Sequence, residues 1–359
     1  MRVTERLDGY QRRHRWAGFP LAVIYKFFED QGPFLAALIT FYGFLSLFPL
    51  LLLLASVLGF LLEDNSELKD RVLDSALSQF PVIGDQLSDP KGLQGSGTAL
   101  VIAGLIALYG ALGVAQAFQN AMNVAWSVPR NRRPNPVKAR LRSLLLIGTA
   151  GVAVLATTIL SALGGSAAAD GALFTGWVPL LVTAAAVVLN AAVFTVAFRL
   201  STATELGVRE IAPGAIIAAV IWQVLQLFGT AYVANVVQNA SITYGAFAVV
   251  LGLLAWIFLA ALGVVVSVEI NVVRTKHLYP RALLTPFTDN VDLTRADRRA
   301  YTDAATAQRH KGFETVDVTF DHEGQEASAR KRADNEVGTN SRVIIADEDI
   351  GDADSRPRR

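Results

Sequence analysis

Six long apolar stretches dominate the pattern of hydrophobic and polar positions along the chain. A membrane-spanning helix needs about 20 predominantly apolar residues, and every stretch reaches that length. They occupy residues 34–62, 98–120, 141–165, 177–200, 211–235 and 244–273. The first and last are long enough that we expect them to tilt, and Pro49 predicts a kink in the first. The pattern therefore predicts an all-α, polytopic membrane protein with six transmembrane helices.

Lysine and arginine are unevenly distributed among the segments that connect these stretches. Six basic side chains precede the first stretch, and residues 123–142 hold six more and no acid. The loop 63–97 instead carries three basic and seven acidic side chains, and the loop 236–243 carries no charge. Because short basic segments stay on the cytoplasmic side of a membrane, this alternation predicts that both termini are cytoplasmic.

The polar ends of the chain divide it into three predicted regions. Residues 1–33 mix aromatic and charged side chains, which predicts a cytoplasmic N-terminus with an interfacial helix. Residues 34–274 form the predicted six-helix transmembrane domain. Residues 275–359 hold 14 basic and 16 acidic side chains and few aromatic ones, so we expect a cytoplasmic, largely disordered tail.

The composition excludes several classes of protein. The chain has 359 residues, of which 52% are hydrophobic and 18% charged, and a soluble domain is usually about a quarter charged. Without any cysteine, the chain cannot form disulfides or thiolate metal sites. It also has no phosphate-binding loop and no H-E-x-x-H motif. We therefore predict no catalytic residues, no metal site and no cofactor.

Several polar side chains nevertheless lie inside the apolar stretches, where a polar group is costly. In the first stretch, Tyr42, Ser46 and Pro49 are spaced four and three residues apart, so they lie on one face of a helix. In the second, Tyr109 and Asn123 share a face with two further amides. We expect a polar cavity lined by Tyr42, Ser46, Pro49, Gln116, Asn120, Asn190, Gln223, Gln226 and Glu269. The alternative is that these groups form hydrogen bonds between packed helices.

Glu269 is the only acid in any of the apolar stretches. One interpretation is a proton-coupling or gating carboxylate, because ionisable groups inside membranes usually mark ion or substrate pathways. The other is an interfacial acid that fixes the last helix against a basic neighbour. From the sequence, its possible charge partners are Arg142, Arg199 and Arg274.

The basic loop 130–142 indicates a lipid partner. Short basic loops beside membrane spans attract anionic lipid headgroups. The basic run between Arg130 and Arg140 contains no aromatic side chain on which a base could stack, so we predict no binding of nucleic acid.

Four ordered segments resemble the YihY/BrkB family. They are FLAALITFYGFLSLFPLLL (34–52), QNAMNVAW (119–126), VREIAPGAIIAAVIWQ (208–223) and YGAFAVVLGLLAWIFLAALGVVVSVEIN (244–271). The resemblance covers roughly residues 11–280, and departs from the family pattern at Ser267, where glycine is common. It implies a six-span protein of the bacterial inner membrane. The family has carried the labels ribonuclease BN and virulence factor.

Two functions remain open at this stage. One is a transport-related role, for a lipid or a small polar solute, through a polar cavity in the helix bundle. The other is a non-transporting scaffold that docks an envelope protein through the loop 63–97 or the tail. The residues do not support the ribonuclease label, since a two-metal nuclease needs several converging acids or histidines.

Overall fold

The computed structural model describes residues 2–61, 97–169, 178–232, 246–288 and 291–320. In these ranges the regular structure is helical, without strands, which confirms the all-α prediction for them. The helices are α1 (Arg2–Arg13), α2 (Arg15–Glu29), α3 (Gly32–Leu61), α4 (Gly97–Ala125), α5 (Pro136–Ala169), α6 (Val178–Ser201), α7 (Val208–Tyr232), α8 (Ala246–Thr275) and α9 (Arg295–Ala307). The loop 63–97 lies almost entirely outside the described residues.

Helices α3 to α8 correspond to the six apolar stretches of the sequence. Among the described residues, three segments are long and apolar enough to cross a membrane, namely Leu180–Ser201, Val208–Gly229 and Val250–Thr275. Gly32–Leu47, the part of α3 whose side chains are described, is apolar but shorter. The crossing of a membrane by all six helices, and the side on which the termini lie, stay predictions. The same holds for the kink, since the side chain of Pro49 is not described.

Small residues bring α3 and α4 together. A Cβ atom built on Gly110 would lie 2.6 Å from the Cβ atom of Ser46, and one on Gly113 would overlap the ring of Tyr42. The two helices therefore touch where glycine removes the side chain, as is usual between helices in membranes. This contact buries Ser46, whose Oγ donates to the carbonyl oxygen of Gly43 at 3.0 Å.

The main hydrophobic core lies where α2, α4, α6, α7 and α8 meet. Its fully buried members include Met122, Phe198, Ile211, Val272 and Leu278. These residues lie near the C-terminal ends of α4, α6 and α8 and the N-terminal end of α7. We call this end of the bundle the junction, because the chain's N-terminal helices and its segment 276–307 also pack there.

Within the tail, which we expected to be largely disordered, residues 295–307 are ordered. They form helix α9, whose first turn is closed by a capping box between Thr294 and Asp297. Ala296, Asp297 and Ala300 are buried, so one face of the helix packs against the junction. Lys276 Nζ also donates to the carbonyl oxygen of Trp126 at 2.9 Å and pairs with Asp303 at 2.8 Å. Tertiary contacts thus order a segment whose polar composition suggested disorder. Residues 321–359 lie outside the described residues.

Candidate functional sites

Lys26, Asp30 and Glu269 form a buried group of charges at the junction, which we call the lysine cluster. The Lys26 side chain comes from α2, donates to the carboxylate of Asp30 one turn later, and lies 3.9 Å from Glu269 of α8. Its Nζ atom also donates to the carbonyl oxygen of Ala125, at the end of α4, at 3.1 Å. One ammonium group therefore links the ends of three helices.

The lysine cluster contains two carboxyl groups for one ammonium group. Glu269 is 0% exposed and Lys26 is 3% exposed. Neither carboxylate oxygen of Glu269 accepts a hydrogen bond from the described residues. Burial raises the pKa of Asp30, and the nearby Lys26 offsets only part of the rise. Burial alone would lower the pKa of Lys26, but the carboxyl groups of Glu269 and Asp30 outweigh it, so this pKa is raised.

Arg281 and Asp297 are buried and, together with the more exposed Glu29, form a second group of charges, which we call the charge clasp. The guanidinium group of Arg281 binds both oxygens of Glu29, at 2.6 and 3.1 Å, and also pairs with Asp297 of α9. Arg281 is 0% exposed. A bidentate arginine–carboxylate pair is among the strong charge-assisted contacts. The clasp therefore ties α2 and α9 to the chain that leaves α8.

The amides of α4 divide into two sets with opposite environments. Gln119 and Asn123 are buried, and Gln119 Nε2 donates to Ser143 Oγ of α5 at 2.8 Å. Asn123 Oδ1 accepts from the backbone of Ala203 at 2.9 Å. These two amides hold helices together, as the packing interpretation predicted. Asn123, which was expected to share a face with Gln116 and Asn120, is therefore buried, whereas those two amides are exposed.

Tyr109, Gln116 and Asn120 are exposed on one side of α4, and we call them the polar face. Tyr109 is 64% exposed and its ring lies 6.3 Å from that of Tyr42. Gln116 and Asn120 are exposed as well. On the same side, the preceding turns carry exposed apolar residues such as Ile102 and Leu105. The uncovered surface of α4 thus changes from apolar to polar toward the junction.

A pocket of about 280 Å³ opens where the polar face ends. We call it the basic pocket, and its lining consists of Arg132, Arg133, Pro134, Asn135, Lys138, Arg142 and Ala203. Arg133 connects it to the polar face, since its Nη1 atom donates to Asn120 Oδ1 at 3.3 Å. Partial burial and the neighbouring Arg130 lower the pKa of Arg133. The pocket therefore concentrates positive charge without an acid in its lining.

The other residues of the predicted cavity are spread over α3, α6 and α7. Tyr42 and Ser46 lie in the contact between α3 and α4. Asn190 of α6 and Gln223 and Gln226 of α7 are half-buried. The structure thus brings Tyr42 beside Tyr109 of the polar face, whereas Glu269 belongs to the lysine cluster.

The arginines predicted as charge partners of Glu269 are engaged elsewhere. Arg142 Nη1 donates to the carbonyl oxygen of Thr202 at 3.4 Å, and Arg274 Nη1 to that of Arg209 at 3.1 Å. Arg199 is exposed. The ion-pair partner of Glu269 is instead Lys26. The prediction failed because it considered only the ends of the apolar stretches and left out the N-terminal helix.

Sequence reasoning also missed the roles of Lys26, Asp30 and Arg281. One signal was available, since Lys26 is the only charged residue between Arg15 and Glu29 and lies four positions before Asp30. A single lysine in an otherwise apolar helix, with an acid one turn later, indicates a buried pair. Arg281 carries no comparable local pattern. In the described ranges, no three histidine or acidic side chains are arranged to hold a metal ion.

These features define a helical protein with helices long and apolar enough to cross a membrane, and with its buried charges gathered at one end. The sequence profile of the family described as "Virulence factor BrkB" matches residues 23–288. The chain therefore belongs to this family, which confirms the resemblance noted in the sequence.

Two relatives have curated descriptions. A UPF0761 membrane protein of Psychrobacter sp. (strain PRwf-1) is 26% identical over 295 residues, which cover 78% of this chain and 53% of the relative. The putative ribonuclease-like protein YfkH of Bacillus subtilis (strain 168) is 23% identical over 257 residues, which cover 69% and 91%. The chain thus spans about half the length of the first relative. No solved structure matches it.

Proposed function

We propose that this chain is a six-span protein of the bacterial plasma (inner) membrane with a transport-related role for a lipid or a small polar solute. Both termini lie in the cytoplasm, so the junction is at the cytoplasmic end of the bundle. The observation that carries the proposal is the polar face of α4, which the described helices leave uncovered.

A polar side chain that faces lipid tails loses its hydrogen bonds with water, so such residues are rare in membrane helices. Gln116 lies about 6 Å along the helix axis from Asn120, and Tyr109 about 16 Å from it. Polar groups at such depths are favourable when they border a path for water or for polar headgroups. The face ends at the basic pocket, which gives that path an opening at the junction.

The lysine cluster supports the same proposal. A glutamate in the last turns of a membrane helix, fully buried against a lysine and an aspartate, is costly to maintain. We propose that the cluster couples helix α8 to the N-terminal helix α2 during transport. The proposal assigns no enzymatic activity to this chain, although the name of the B. subtilis relative refers to a ribonuclease.

A scaffold role is the second candidate, and the charge clasp favours it. The clasp joins α2 to α9, and Asp8 of α1 accepts a hydrogen bond from the backbone N–H of Leu283, so these helices form a folded unit outside the long helices. Phe287, which follows Arg281 in the chain, and Phe313, which follows α9, are 81% and 88% exposed. Exposed aromatic side chains of this kind suit an interface with an envelope protein.

Single cysteines test the proposal directly, since the chain has none of its own. The variants Gln116→Cys and Asn120→Cys probe the polar face, and Asn190→Cys, Gln223→Cys and Gln226→Cys probe the remaining predicted positions. Leu105→Cys is the matched control, because this residue is exposed on the same side of α4 but in its apolar part. A membrane-impermeant thiol reagent is then added to intact and to opened vesicles.

We expect the polar-face variants to react and Leu105→Cys to remain unreactive. Ser66→Cys and His310→Cys report the topology, since they should react from opposite sides of the membrane. If the polar face reacts no faster than the control, the transport proposal is wrong and the scaffold role is favoured. If both topology variants react from the same side, the six-span arrangement is wrong.

A further inference from the structure

We propose that the basic pocket binds a phosphate-bearing anion. This inference rests on the proposed function and deepens it, because it names the class of substrate that enters the polar path. The shared chemistry is a phosphate group, which can come from an anionic lipid headgroup or from free phosphate.

The first argument is the charge of the pocket lining. Arg132, Arg133, Lys138 and Arg142 provide four cations, and the lining contains no acid. None of the ion pairs between described residues involves these side chains. By contrast, the buried cations of the lysine cluster and the charge clasp each face two carboxyl groups. The pocket is therefore short of negative charge, and an anion supplies it.

The second argument is the arrangement of the donors. Arginine presents N–H groups in a planar fork that matches a phosphate group, and three of the four cations are arginines. Lys138 lies in the first turn of α5, and the lining includes Pro134 and Asn135 just before this helix. A helix N-terminus adds partial positive charge. Both features favour a compact anion over an extended acidic surface.

The third argument is the position of the pocket. Its volume of 280 Å³ is slightly below the range usual for drug-sized ligands, so it suits a small headgroup. Arg133 and Asn120 are in direct contact at 3.3 Å, which places the first amide of the polar face at the edge of the pocket. A phosphate group held here would lie where the polar path begins.

The test compares two double variants of the full-length protein purified in neutral detergent. Arg132→Gln/Lys138→Gln removes two exposed cations that line the pocket, and Arg130→Gln/Arg140→Gln removes two exposed cations of the same segment, 130–142, that do not. Binding of phosphatidylglycerol is titrated at about 150 mM salt, where attraction over long distances is screened. Phosphatidylcholine and inorganic phosphate are the two further probes.

We expect the pocket variant to raise the Kd for phosphatidylglycerol roughly tenfold, and the control variant to raise it by less than about threefold. If inorganic phosphate competes, the pocket accepts phosphate from either source, whereas absence of competition identifies the lipid headgroup as the ligand. Equal losses in both variants would overturn the proposal, because a diffuse basic surface would explain them. Failure of the unaltered protein to prefer phosphatidylglycerol over phosphatidylcholine, together with failure to bind inorganic phosphate, would overturn it as well.

The outcome is independent of the cysteine test. Reactive Gln116→Cys with no anion binding would contradict only the phosphate inference. Anion binding with an unreactive polar face would instead contradict the proposed transport role and leave the binding site in place.

Discussion

Two sets of cations lie at the junction, and they differ in how their charge is balanced. In the lysine cluster and the charge clasp, Lys26 and Arg281 are buried and each faces two carboxyl groups. In the basic pocket, four cations line an open cavity without an acid. The first set is balanced by carboxyl groups within the fold, whereas the second set is open to an anion from outside it.

This difference separates charges that hold the chain together from charges that can bind a ligand. A buried ion loses the solvation of water, so removal of its partner leaves an uncompensated charge and costs several kcal/mol. An open cation remains hydrated, and its removal changes stability little. The variants below are chosen to test this distinction.

Arg281→Met should cause the largest loss of stability. It leaves Glu29 without its bidentate partner and Asp297 buried without a cation, so we expect a loss of about 4 kcal/mol. Denaturant unfolding in detergent measures the change. Arg295→Met is the control, because Arg295 is exposed at the start of α9, and it should change stability by less than about 0.5 kcal/mol. Equal effects would show that the clasp does not stabilise the junction.

Lys26→Met should have the next largest effect, about 3 kcal/mol, since Asp30 and Glu269 would share a buried site without a cation. Glu269→Gln keeps the shape of the side chain and removes one of the two acids, so we expect the free energy of unfolding to change by less than about 1 kcal/mol. The two variants are compared by the amount of folded protein in the membrane and by their unfolding midpoints. A loss in Glu269→Gln as large as in Lys26→Met would contradict this account of the cluster.

The stabilisation by Lys26 should also depend on pH. Its pKa in the folded protein is raised above the ordinary value of 10.5, since the carboxyl groups of Glu269 and Asp30 outweigh burial. A raised pKa contributes stability that is fully present below the ordinary value and is lost as the pH rises through the raised one. The difference in unfolding free energy between the unaltered protein and Lys26→Met should therefore decrease as the pH rises above the ordinary pKa of Lys26. A difference that grows with pH above 10.5 would contradict this sign.

Arg132→Gln/Lys138→Gln should have the smallest effect on stability. Both side chains are exposed, so we expect a change within about 0.5 kcal/mol. The same variant should lose the increase in Tm that phosphatidylglycerol gives the unaltered protein, because ligand binding stabilises only the state that binds it. A large loss of stability without added lipid would show instead that these cations stabilise the fold, as Lys26 and Arg281 do.

Much of the helical architecture follows from the sequence, since the six apolar stretches coincide with α3 to α8. The helix ends were less predictable. The stretch predicted to end at residue 120 continues as a helix to Ala125. Polar residues can extend a helix in this way when they pack or form hydrogen bonds at its end. Helix α9 was missed because its composition is polar, although Thr294 and Asp297 carry the spacing of a capping box.

The candidate sites were predicted only in part. Glu269 is recognisable as the one acid in the apolar stretches, but its partner Lys26 lies at the other end of the chain. Helical spacing placed Gln116 and Asn120 on one face, yet spacing alone does not reveal whether a neighbouring helix covers it. The basic pocket depends on segments far apart in the sequence, since Ala203, after α6, completes a lining otherwise formed by the loop before α5 and the first turns of α5.

The most direct test of the central claim joins the pocket to the polar face. The rate at which an impermeant thiol reagent modifies Gln116→Cys is measured in vesicles with and without phosphatidylglycerol, and again in the Arg132→Gln/Lys138→Gln background. We expect the lipid to slow modification several-fold when the pocket is intact and to have little effect when its cations are removed. Modification that is absent throughout, or equally fast with and without the lipid, would contradict a single path from the pocket along α4.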